Sequence, residues 1–447
     1  MKRALLLLLA ATGISGAGCA AASHEVNRRD LSKPIEQGVE TRDVGGLTVL
    51  VKRVPHVQMV SAQLYLLGGV RNWTASDAGI ERLALASAVA GGTEKLPKAA
   101  FDRKVADLGS QIGSQSTADY SVLGAKSLVS RWRPTLDLLA QLFLEPALPT
   151  GEIEVQRQLQ LSALRQEEEE PDAELELLSN RLVYHGLPYA NRPIGTPETV
   201  SKLTKADLAR HLAKLRESSR LVLVVVGDVD VGEVAAWAKG AFGKLPRGDF
   251  RESPLASPVF RDSRVEVEPR LLPTNYVLST FPAPSWRDPD VAVAAVAMSA
   301  LRERLFEEVR TKRELSYAPS AGLALRGLGE GYLYVTAVDP NRTFRVMLDV
   351  LADFQAGRID PAVLEGDKRI FLTQFLMRDQ STDGQAELLA RAQILGGDWR
   401  LAGKILDEAR AVTPAQVSAF LAGHAKALQT VVLGDPSKID PRLFSSR

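Results

Sequence analysis

The side chains that most often bind metals or act as nucleophiles are scarce in this sequence. It contains five histidines and one cysteine in 447 residues. His56, His185, His211 and His424 have no partner at the spacing of a metal-binding motif, so these residues alone predict no zinc site. Neither a G-x-S-x-G elbow nor a G-x-x-x-x-G-K-[ST] phosphate loop occurs. A Ser-His-Asp arrangement stays open, because its three members need only be close in space.

Charge and cysteine content exclude several classes of function. The chain has 55 Lys and Arg residues against 54 Asp and Glu residues, so it has no basic field that would attract nucleic acid. A single cysteine cannot form an intramolecular disulfide. With 45% hydrophobic and 24% charged residues, the composition is that of a globular protein, and the length predicts two or three domains.

The first segment of the chain has the pattern of an export signal. Two basic residues precede an apolar run over 4–11 that is too short to span a bilayer. Cys19 follows three small residues, at the place where a bacterial lipoprotein signal has its acylated cysteine. We therefore expect a lipoprotein-type signal peptide over 1–19, a tether over 20–40, and a periplasmic protein held to the membrane by a lipid. The alternative is a plain secretory signal cleaved at one of the alanines that follow Cys19.

Hydrophobic periodicity predicts the elements that would position any site. Apolar residues alternate over 47–51 and 60–66, which predicts strands, and an apolar run predicts a buried strand over 221–226. Helical periodicity predicts further elements over 78–90, 99–108, 130–144, 152–169 and 231–242.

The second half of the chain repeats the order of elements in the first. Thr204 opens a predicted helix that leads into a strand ending in Gly-Asp, and Thr413 opens another that does the same. The two helix starts are 209 residues apart and the two Gly-Asp ends 207. A nearly constant offset predicts two copies of one unit of about 200 residues. A chance likeness of two helix-strand-Gly-Asp segments is the alternative.

The predicted fold class is α+β, with two homologous domains. Runs of strands followed by long helices favour an antiparallel or mixed sheet with helices packed on one face of each domain. We expect the N-terminal domain over 41–246 and the C-terminal domain over 264–447. Residues 247–263 are rich in Pro, Ser, Asp and Arg and are predicted to be the linker.

Four segments together resemble the insulinase or pitrilysin type of zinc peptidase, which includes the mitochondrial processing peptidase subunits. They are residues 67–80, 184–198, 226–228 and 310–317. Their joint order and spacing carries the resemblance, which extends over about 40–440. It implies a clamshell arrangement of the two domains around a peptide chamber, and a family activity of zinc metalloendopeptidase.

The resemblance also shows what this sequence lacks. The family has an H-x-x-E-H motif, in which two histidines bind zinc and a glutamate activates the bound water. When Gly79 is placed on the family glycine, those positions are occupied by Arg82, Leu85 and Ala86. The third zinc ligand of the family, a glutamate on a later helix, corresponds to Ala163. A cation and three apolar side chains cannot coordinate zinc.

Acidic substitutes near these positions are few. Glu81 and the run 167–170 are the candidates, and carboxylates without imidazole or thiolate more often form a solvated helical face. We therefore expect no metal in this chain, with zinc held by a partner chain.

The second half contains one pair of residues that the resemblance assigns to catalysis. Active relatives have an arginine and a tyrosine seven residues apart that reach the substrate carbonyl near the zinc, and Arg310 and Tyr317 have this separation. A guanidinium and a phenol can stabilise the oxyanion of a tetrahedral intermediate. The alternative is that Arg310 is an ordinary charge on a helix and Tyr317 a packing aromatic.

These observations favour a non-catalytic subunit of an insulinase-family peptidase. In two-chain members of the family, one chain supplies the zinc site and the other supplies the arginine and tyrosine pair. This chain is therefore expected to supply Arg310, Tyr317 and the chamber to a homologous zinc-bearing subunit, and to be inactive alone. Two alternatives remain: a pseudo-peptidase that binds peptides without an active partner, and a structural assembly protein of the cell envelope.

The predicted lipid anchor can be tested directly. Because Cys19 is the only thiol and ends the export signal, Cys19→Ser should move the protein from the membrane to the soluble fraction. Fractionation followed by immunoblotting measures this. Membrane retention unchanged by the substitution would refute the lipoprotein hypothesis.

Overall fold

The computed structural model describes residues 33–444. Cys19 and the predicted signal peptide lie outside this range. The described chain forms strands β1 (Val39–Val44), β2 (Leu47–Arg53), β3 (Met59–Leu67), β4 (Gln111–Ser116), β5 (Tyr120–Leu128), β6 (Leu221–Gly227), β7 (Arg264–Pro269), β8 (Asn275–Ala283), β9 (Ser320–Leu325), β10 (Gly329–Ala337) and β11 (Gln429–Gly434).

The helices lie between and after these strands. They are α1 (Lys33–Glu36), α2 (Ile80–Gly91), α3 (Lys98–Asp107), α4 (Trp132–Leu144), α5 (Thr150–Glu169), α6 (Pro171–Val183), α7 (Pro197–Lys202), α8 (Lys205–Leu215), α9 (Val231–Phe242), α10 (Val291–Leu305), α11 (Pro340–Gln355), α12 (Pro361–Arg378), α13 (Thr382–Arg391), α14 (Leu401–Ala411) and α15 (Pro414–His424). Two π-helical segments, Phe306–Thr311 and Ala392–Gly396, continue α10 and α13. Within the described residues, no helix is both long and apolar enough to cross a membrane.

The strands form two mixed sheets with the same connectivity. The first has the order β1-β2-β6-β3-β5-β4 and the second the order β7-β11-β8-β10-β9. In each sheet one pair is parallel, β2 with β6 and β7 with β11, and the other pairs are antiparallel. Strands β2 to β6 therefore correspond one by one to β7 to β11. The predicted fold class, α+β with two homologous domains in a clamshell arrangement, is confirmed.

Matching helix caps explain why the repeat was visible in the sequence. Thr204 and Thr413 are both N-cap residues of capping boxes, which fix the starts of α8 and α15. The strands that follow, β6 and β11, are buried along their whole length. Strands covered on both faces are typically continuous apolar runs. Strand β6 shows this pattern along its length, and β11 shows it after Gln429 and Thr430.

Each sheet has its own core but also contacts the other half of the chain. Helices of the same half cover one face of each sheet. On the other face, α13 of the second half packs against β3 and β6, and α6 of the first half packs against β8 and β11. The carboxylate of Asp383 on α13 accepts hydrogen bonds from Ser61 (3.0 Å) and Gln63 (2.9 Å) of β3. This reciprocal covering was not predicted from the sequence.

The tether predicted over 20–40 extends too far. Residues 33–36 form α1, and β1 begins at Val39. Ile35 is only 4% exposed and packs in the core beneath the first sheet. Burial of this side chain fixes the last part of the segment to the fold. The remaining predicted domain boundaries stay predictions.

The two halves and the segment between them meet at one buried carboxylate. Asp119, in the turn between β4 and β5, pairs with Arg71 at 2.9 Å, and both side chains are less than a tenth exposed. Its carboxylate also accepts hydrogen bonds from the Tyr189 hydroxyl and, at 3.2 Å, from the Gly327 amide of the second half. Arg71 contacts Glu252 of the connecting segment at 3.4 Å. We call these five residues the Asp119 junction.

Removing the carboxylate at the centre of the Asp119 junction is predicted to lower the free energy of unfolding strongly. Asp119→Ala would leave the buried Arg71 guanidinium without its main partner, so we expect a loss of about 3–5 kcal/mol in the free energy of unfolding. Asp353→Ala is the matched control, because it breaks an ion pair with Arg358 whose side chains are at least half exposed, and it should cost less than about 1 kcal/mol. Urea denaturation measures both, and equal effects would contradict the assignment.

Candidate functional site

The start of α2 is held by α5 and by the loop before α7. Gly79 precedes the helix with a positive φ of 89°, and a Cβ atom there would lie 2.8 Å from the Ile194 carbonyl oxygen. The side-chain amide of Gln160 on α5 donates to the carbonyl oxygens of Gly79 (3.2 Å) and Ile194 (2.8 Å). Glycine is therefore required at this position by both conformation and space.

The four positions that the sequence resemblance matched to zinc ligands lie on this pair of helices. Arg82, Leu85 and Ala86 are on α2, and Ala163 is on α5, which packs against α2. Leu85 is 1% exposed and belongs to the first core, against which Ala163 also packs. Arg82 and Ala86 are half-buried. Among residues 33–444, no three His, Cys, Asp or Glu side chains are grouped closely enough to hold a metal ion.

Glu81 was assigned from sequence to a solvated helical face, and this assignment is wrong. The side chain is 2% exposed. Its carboxylate lies 2.9 Å from His211 Nε2, accepts a hydrogen bond from the Ser121 hydroxyl, and lies 3.4 Å from the Gly69 amide. A Cβ atom at Gly68 would be 2.7 Å from this carboxylate, so the glycine leaves room for it. The acidic run 167–170, in contrast, is mostly exposed.

His211 reaches Glu81 from α8, across 130 residues of sequence. Leu208, Leu212 and Leu215 form the buried face of α8, and His211 is three residues after the first and four before the last. The helical period therefore places His211 on the buried face. This spacing was a usable signal, although it does not identify the partner.

The Glu81–His211 pair borders a cavity of about 550 Å³ lined mainly by residues 68–77, by α7 and α8, and by the start of α2. One carboxylate oxygen of Glu81 accepts a hydrogen bond from the Ser121 hydroxyl and the other lies against His211 Nε2, so the carboxylate lies between the serine and the histidine. In a Ser-His-Asp site the histidine occupies the middle position. This group is therefore a structural clamp at the α2 start and has no activated serine.

The end strands of both sheets border cavities that meet at α13. The cavity beside β4 has about 420 Å³ and is bordered by residues 111–115 of that strand. The cavity beside β9 has about 830 Å³ and is bordered by residues 320–323. Successive residues of a strand point to opposite faces, so a cavity that touches consecutive residues runs along the strand edge. Glu387 of α13 lines both cavities.

Arg310 and Tyr317 contact each other on the surface of the second half. Arg310 lies in the π-helical segment after α10 and donates a 3.2 Å hydrogen bond to the Tyr317 carbonyl oxygen. Its guanidinium lies 4.9 Å from the centre of the Tyr317 ring and 4.8 Å from that of Phe306. Tyr317 is 84% exposed. A cation and a phenol are therefore held together and accessible.

The other cations of this segment are paired with carboxylates. Lys312 lies 2.8 Å from both Glu307 and Glu308, and Arg313 also pairs with Glu308. No ion pair between described residues involves Arg310. Of the histidines predicted to be isolated, His56 and His185 are exposed, and His424 Nδ1 lies 3.0 Å from the backbone carbonyl of its own helix.

Two family descriptions match consecutive parts of this chain. Residues 48–196 match "Insulinase (Peptidase family M16)" and residues 202–371 match "Peptidase M16 inactive domain". Together they extend over most of the two sheets and include α2, α5, Arg310 and Tyr317.

Individual relatives include peptidases and a non-peptidase. The mitochondrial-processing peptidase subunit beta of Saccharomyces cerevisiae is 24% identical over 56% of this chain, which matches 54% of that subunit's length. An uncharacterized zinc protease of Mycobacterium leprae is 24% identical over 84% of this chain and 86% of its own length. A non-peptidase homolog of Helicobacter pylori, YmxG, is 23% identical over 64% of this chain and 68% of its own length.

Solved structures show the same fold. A peptidase M16 inactive domain from Pseudomonas fluorescens has a TM-score of 0.82 at 20% identity, covering 90% of this chain and 99% of that one. The periplasmic protease PqqL from Escherichia coli has a TM-score of 0.72 at 16% identity, covering 89% of this chain and 46% of that one.

The side chains at the four matched positions predict that the purified chain contains no stoichiometric zinc. Elemental analysis after dialysis measures this, and one tightly bound equivalent would overturn the prediction. A variant with Arg82→His, Leu85→Glu, Ala86→His and Ala163→Glu is the positive control. If α2 and α5 place these positions around one point, it should bind about one equivalent of zinc.

Proposed function

This chain belongs to the insulinase family, peptidase family M16, and we propose that it is the non-catalytic subunit of a two-chain peptidase. In this proposal a homologous partner supplies the zinc, and this chain supplies Arg310, Tyr317 and part of the peptide chamber. The exposed pairing of Arg310 with Tyr317 is the observation that carries the proposal.

The environment of Arg310 supports a role toward a bound molecule. Its neighbours Lys312 and Arg313 are neutralised by Glu307 and Glu308. Within residues 33–444, Arg310 instead contacts two aromatic rings and one backbone carbonyl and forms no ion pair. Its charge is therefore available to an oxyanion. π-Helical segments such as Phe306–Thr311 are frequent at functional sites.

The strand edges supply the peptide-binding part of the proposal. An extended peptide can add to the free edge of a sheet through main-chain hydrogen bonds, while its side chains enter neighbouring pockets. Strands β4 and β9 are end strands and border cavities. Neither edge depends on a metal, so binding of a peptide would survive loss of the zinc ligands.

The comparisons support the location and the partner of this proposal. The yeast relative is a subunit of a larger enzyme by its name, which favours a subunit role here. The structural neighbour PqqL is a periplasmic protease, which favours the periplasm. We propose that a lipid on Cys19 holds the complex at the membrane, in agreement with the export signal.

A second candidate function is peptide binding without any active partner. The likeness to the non-peptidase homolog of Helicobacter pylori favours it, as do strand edges that require no zinc. The two candidates differ in one observation: only the subunit hypothesis requires co-purification with a zinc-bearing family member.

Arg310→Ala and Tyr317→Phe test the subunit hypothesis in the complex reconstituted with such a zinc-bearing chain. Each variant should fold and assemble normally, while kcat falls about 10²- to 10³-fold, since a well-placed oxyanion donor is removed. KM should change less, because the interaction forms mainly in the transition state. Steady-state kinetics on a peptide substrate measures both constants.

Arg313→Ala is the matched control, because it removes a neighbouring guanidinium that is paired with Glu308. It should leave kcat within a factor of about two. Full activity in both Arg310→Ala and Tyr317→Phe would refute the catalytic role. Loss of assembly in proportion to loss of activity would indicate packing instead.

A further inference from the structure

The turn between β9 and β10 is the part of the second half that enters the Asp119 junction. The Gly327 amide donates a 3.2 Å hydrogen bond to the Asp119 carboxylate, and Leu328 packs in the apolar cluster that includes Tyr189. A Cβ atom at Gly327 would lie 2.7 Å from both the Asp119 carboxylate and the Tyr189 hydroxyl oxygen. The first half therefore holds this turn by close contact, with no room for a larger residue at its centre.

The same turn brings a charge to the junction through Arg326. The guanidinium carbon lies 5.5 Å from the centre of the Tyr189 ring and 5.8 Å from that of Tyr184. Its Nη2 lies 2.5 Å from Oε2 of Glu330, at the start of β10. Glu330 is 8% exposed. Burial raises the pKa of Tyr189, so its hydroxyl stays neutral and remains a donor to the junction. The region between the halves therefore contains a second ion pair beside that of Arg71.

The charges in this region do not balance. Among the described residues, the carboxylates of Asp119, Glu252 and Glu330 share the guanidinium groups of Arg71 and Arg326. Oε1 of Glu252 and Oε1 of Glu330 are buried and have no hydrogen-bond partner within 33–444. A buried charge is costly unless it is paired and hydrogen-bonded, and a carboxyl group in this situation takes up a proton instead. The excess of one carboxylate therefore favours one bound proton.

The surroundings of Glu330 make it the group that holds this proton. Its partners in register on β8 and β9 are Pro282 and Ala324, which carry no charge. Burial, and then the charge of Glu176 on α6, raise the pKa of Glu330 to about 8. The charge of Arg326 acts on Glu176 as well as on Glu330, so one guanidinium serves two carboxylates.

The other charged groups near the junction are already paired or exposed. The Asp172 carboxylate on α6 accepts a 2.6 Å hydrogen bond from the Tyr334 hydroxyl of β10. Burial raises the pKa of Glu252, and the charges of Arg71 and Arg287 oppose this shift. Arg287 is exposed, as is Glu176, so solvent screens one charge of each sign at the rim. The imbalance inside the junction is therefore left uncorrected.

We propose that the β9–β10 turn is a proton-controlled latch between the two halves, closed while Glu330 holds a proton and loosened when that proton is lost. Loss of the proton leaves three buried carboxylates around two guanidinium groups, and movement of the turn toward water relieves their repulsion. Because the pKa of Glu330 lies above that of an exposed glutamate, the closed turn binds more protons than the open one. The latch therefore weakens as the pH rises toward about 8. It requires neither a partner chain nor a bound peptide, so it goes beyond the function proposed above.

Hydrogen exchange of the full chain, followed by mass spectrometry between about pH 6 and pH 9, tests the latch. The observed fragment is the one that contains the β9–β10 turn, and its exchange rate is divided by the intrinsic rate at each pH to give a protection factor. If the closed turn holds one proton that the open turn has lost, protection should fall about tenfold for each pH unit up to about pH 8. Above that pH it should level off.

Glu330→Gln assigns the proton to its residue. The amide has the shape of a protonated carboxyl group and does not titrate, so the variant should show protection that is nearly independent of pH. At pH 8 its turn should be about tenfold or more better protected than that of the unsubstituted chain. Glu308→Gln is the matched control, because Glu308 is a partly buried glutamate that pairs with Lys312 and Arg313 outside the junction. It should keep the pH dependence of the unsubstituted chain.

Three outcomes would overturn the proposal. Protection of the turn that does not change between pH 6 and pH 8 in the unsubstituted chain would refute the latch, whether or not the variants fold. An unchanged pH dependence in Glu330→Gln would show that another group titrates. Loss of the pH dependence in Glu252→Gln alone would assign the proton to Glu252 instead. The assay measures neither turnover nor binding, so its failure is distinct from a failure of the Arg310 and Tyr317 variants.

Discussion

The buried carboxylate of Asp119 joins the two halves of the chain at a point away from the apolar contacts made by α6 and α13. A buried charge is tolerated only when it is paired and hydrogen-bonded. Here the donors come from three separate segments: Arg71 after β3, Tyr189 before α7, and the backbone of Gly327 between β9 and β10. Satisfying one carboxylate therefore fixes the β9–β10 turn of the second half against the first, and with it the relation between the two sheet edges.

Local features of the fold could be predicted from the sequence, and long-range ones could not. Alternating apolar residues gave β2 and β3, and the threonines at 204 and 413 marked two helix starts, because strand periodicity and capping are encoded within a few residues. The covering of each sheet by α6 or α13 depends on contacts across more than 100 residues, for example between Gln63 and Asp383. No local pattern encodes such a pairing.

The candidate site also has some features that could be predicted from the sequence and others that could not. The positions of Arg82, Leu85 and Ala86 on one helix could be predicted, since they are set by helical spacing after Gly79. The Glu81–His211 pair could not, because the helical period places His211 on the buried face of α8 but does not identify its partner. Only the three-dimensional structure shows that Gly68, at the end of β3, leaves room for the Glu81 carboxylate.

Apolar side chains at the positions that the resemblance matches to zinc ligands are compatible with an intact fold, because the helix pair does not depend on a metal. Leu85 and Ala163 extend the apolar contact between α2 and α5, which stabilises the fold in proportion to the buried area. The start of α2 is fixed separately, by Gln160 and by the Glu81–His211 clamp. The peptide recognition proposed above is also independent of a metal, since the edges of β4 and β9 present main-chain groups rather than metal ligands. In the proposed function, the fold would therefore keep the surfaces that position a peptide without a hydrolytic centre of its own, and the exposed Arg310–Tyr317 pair would gain a chemical use only when another chain brings the metal to it.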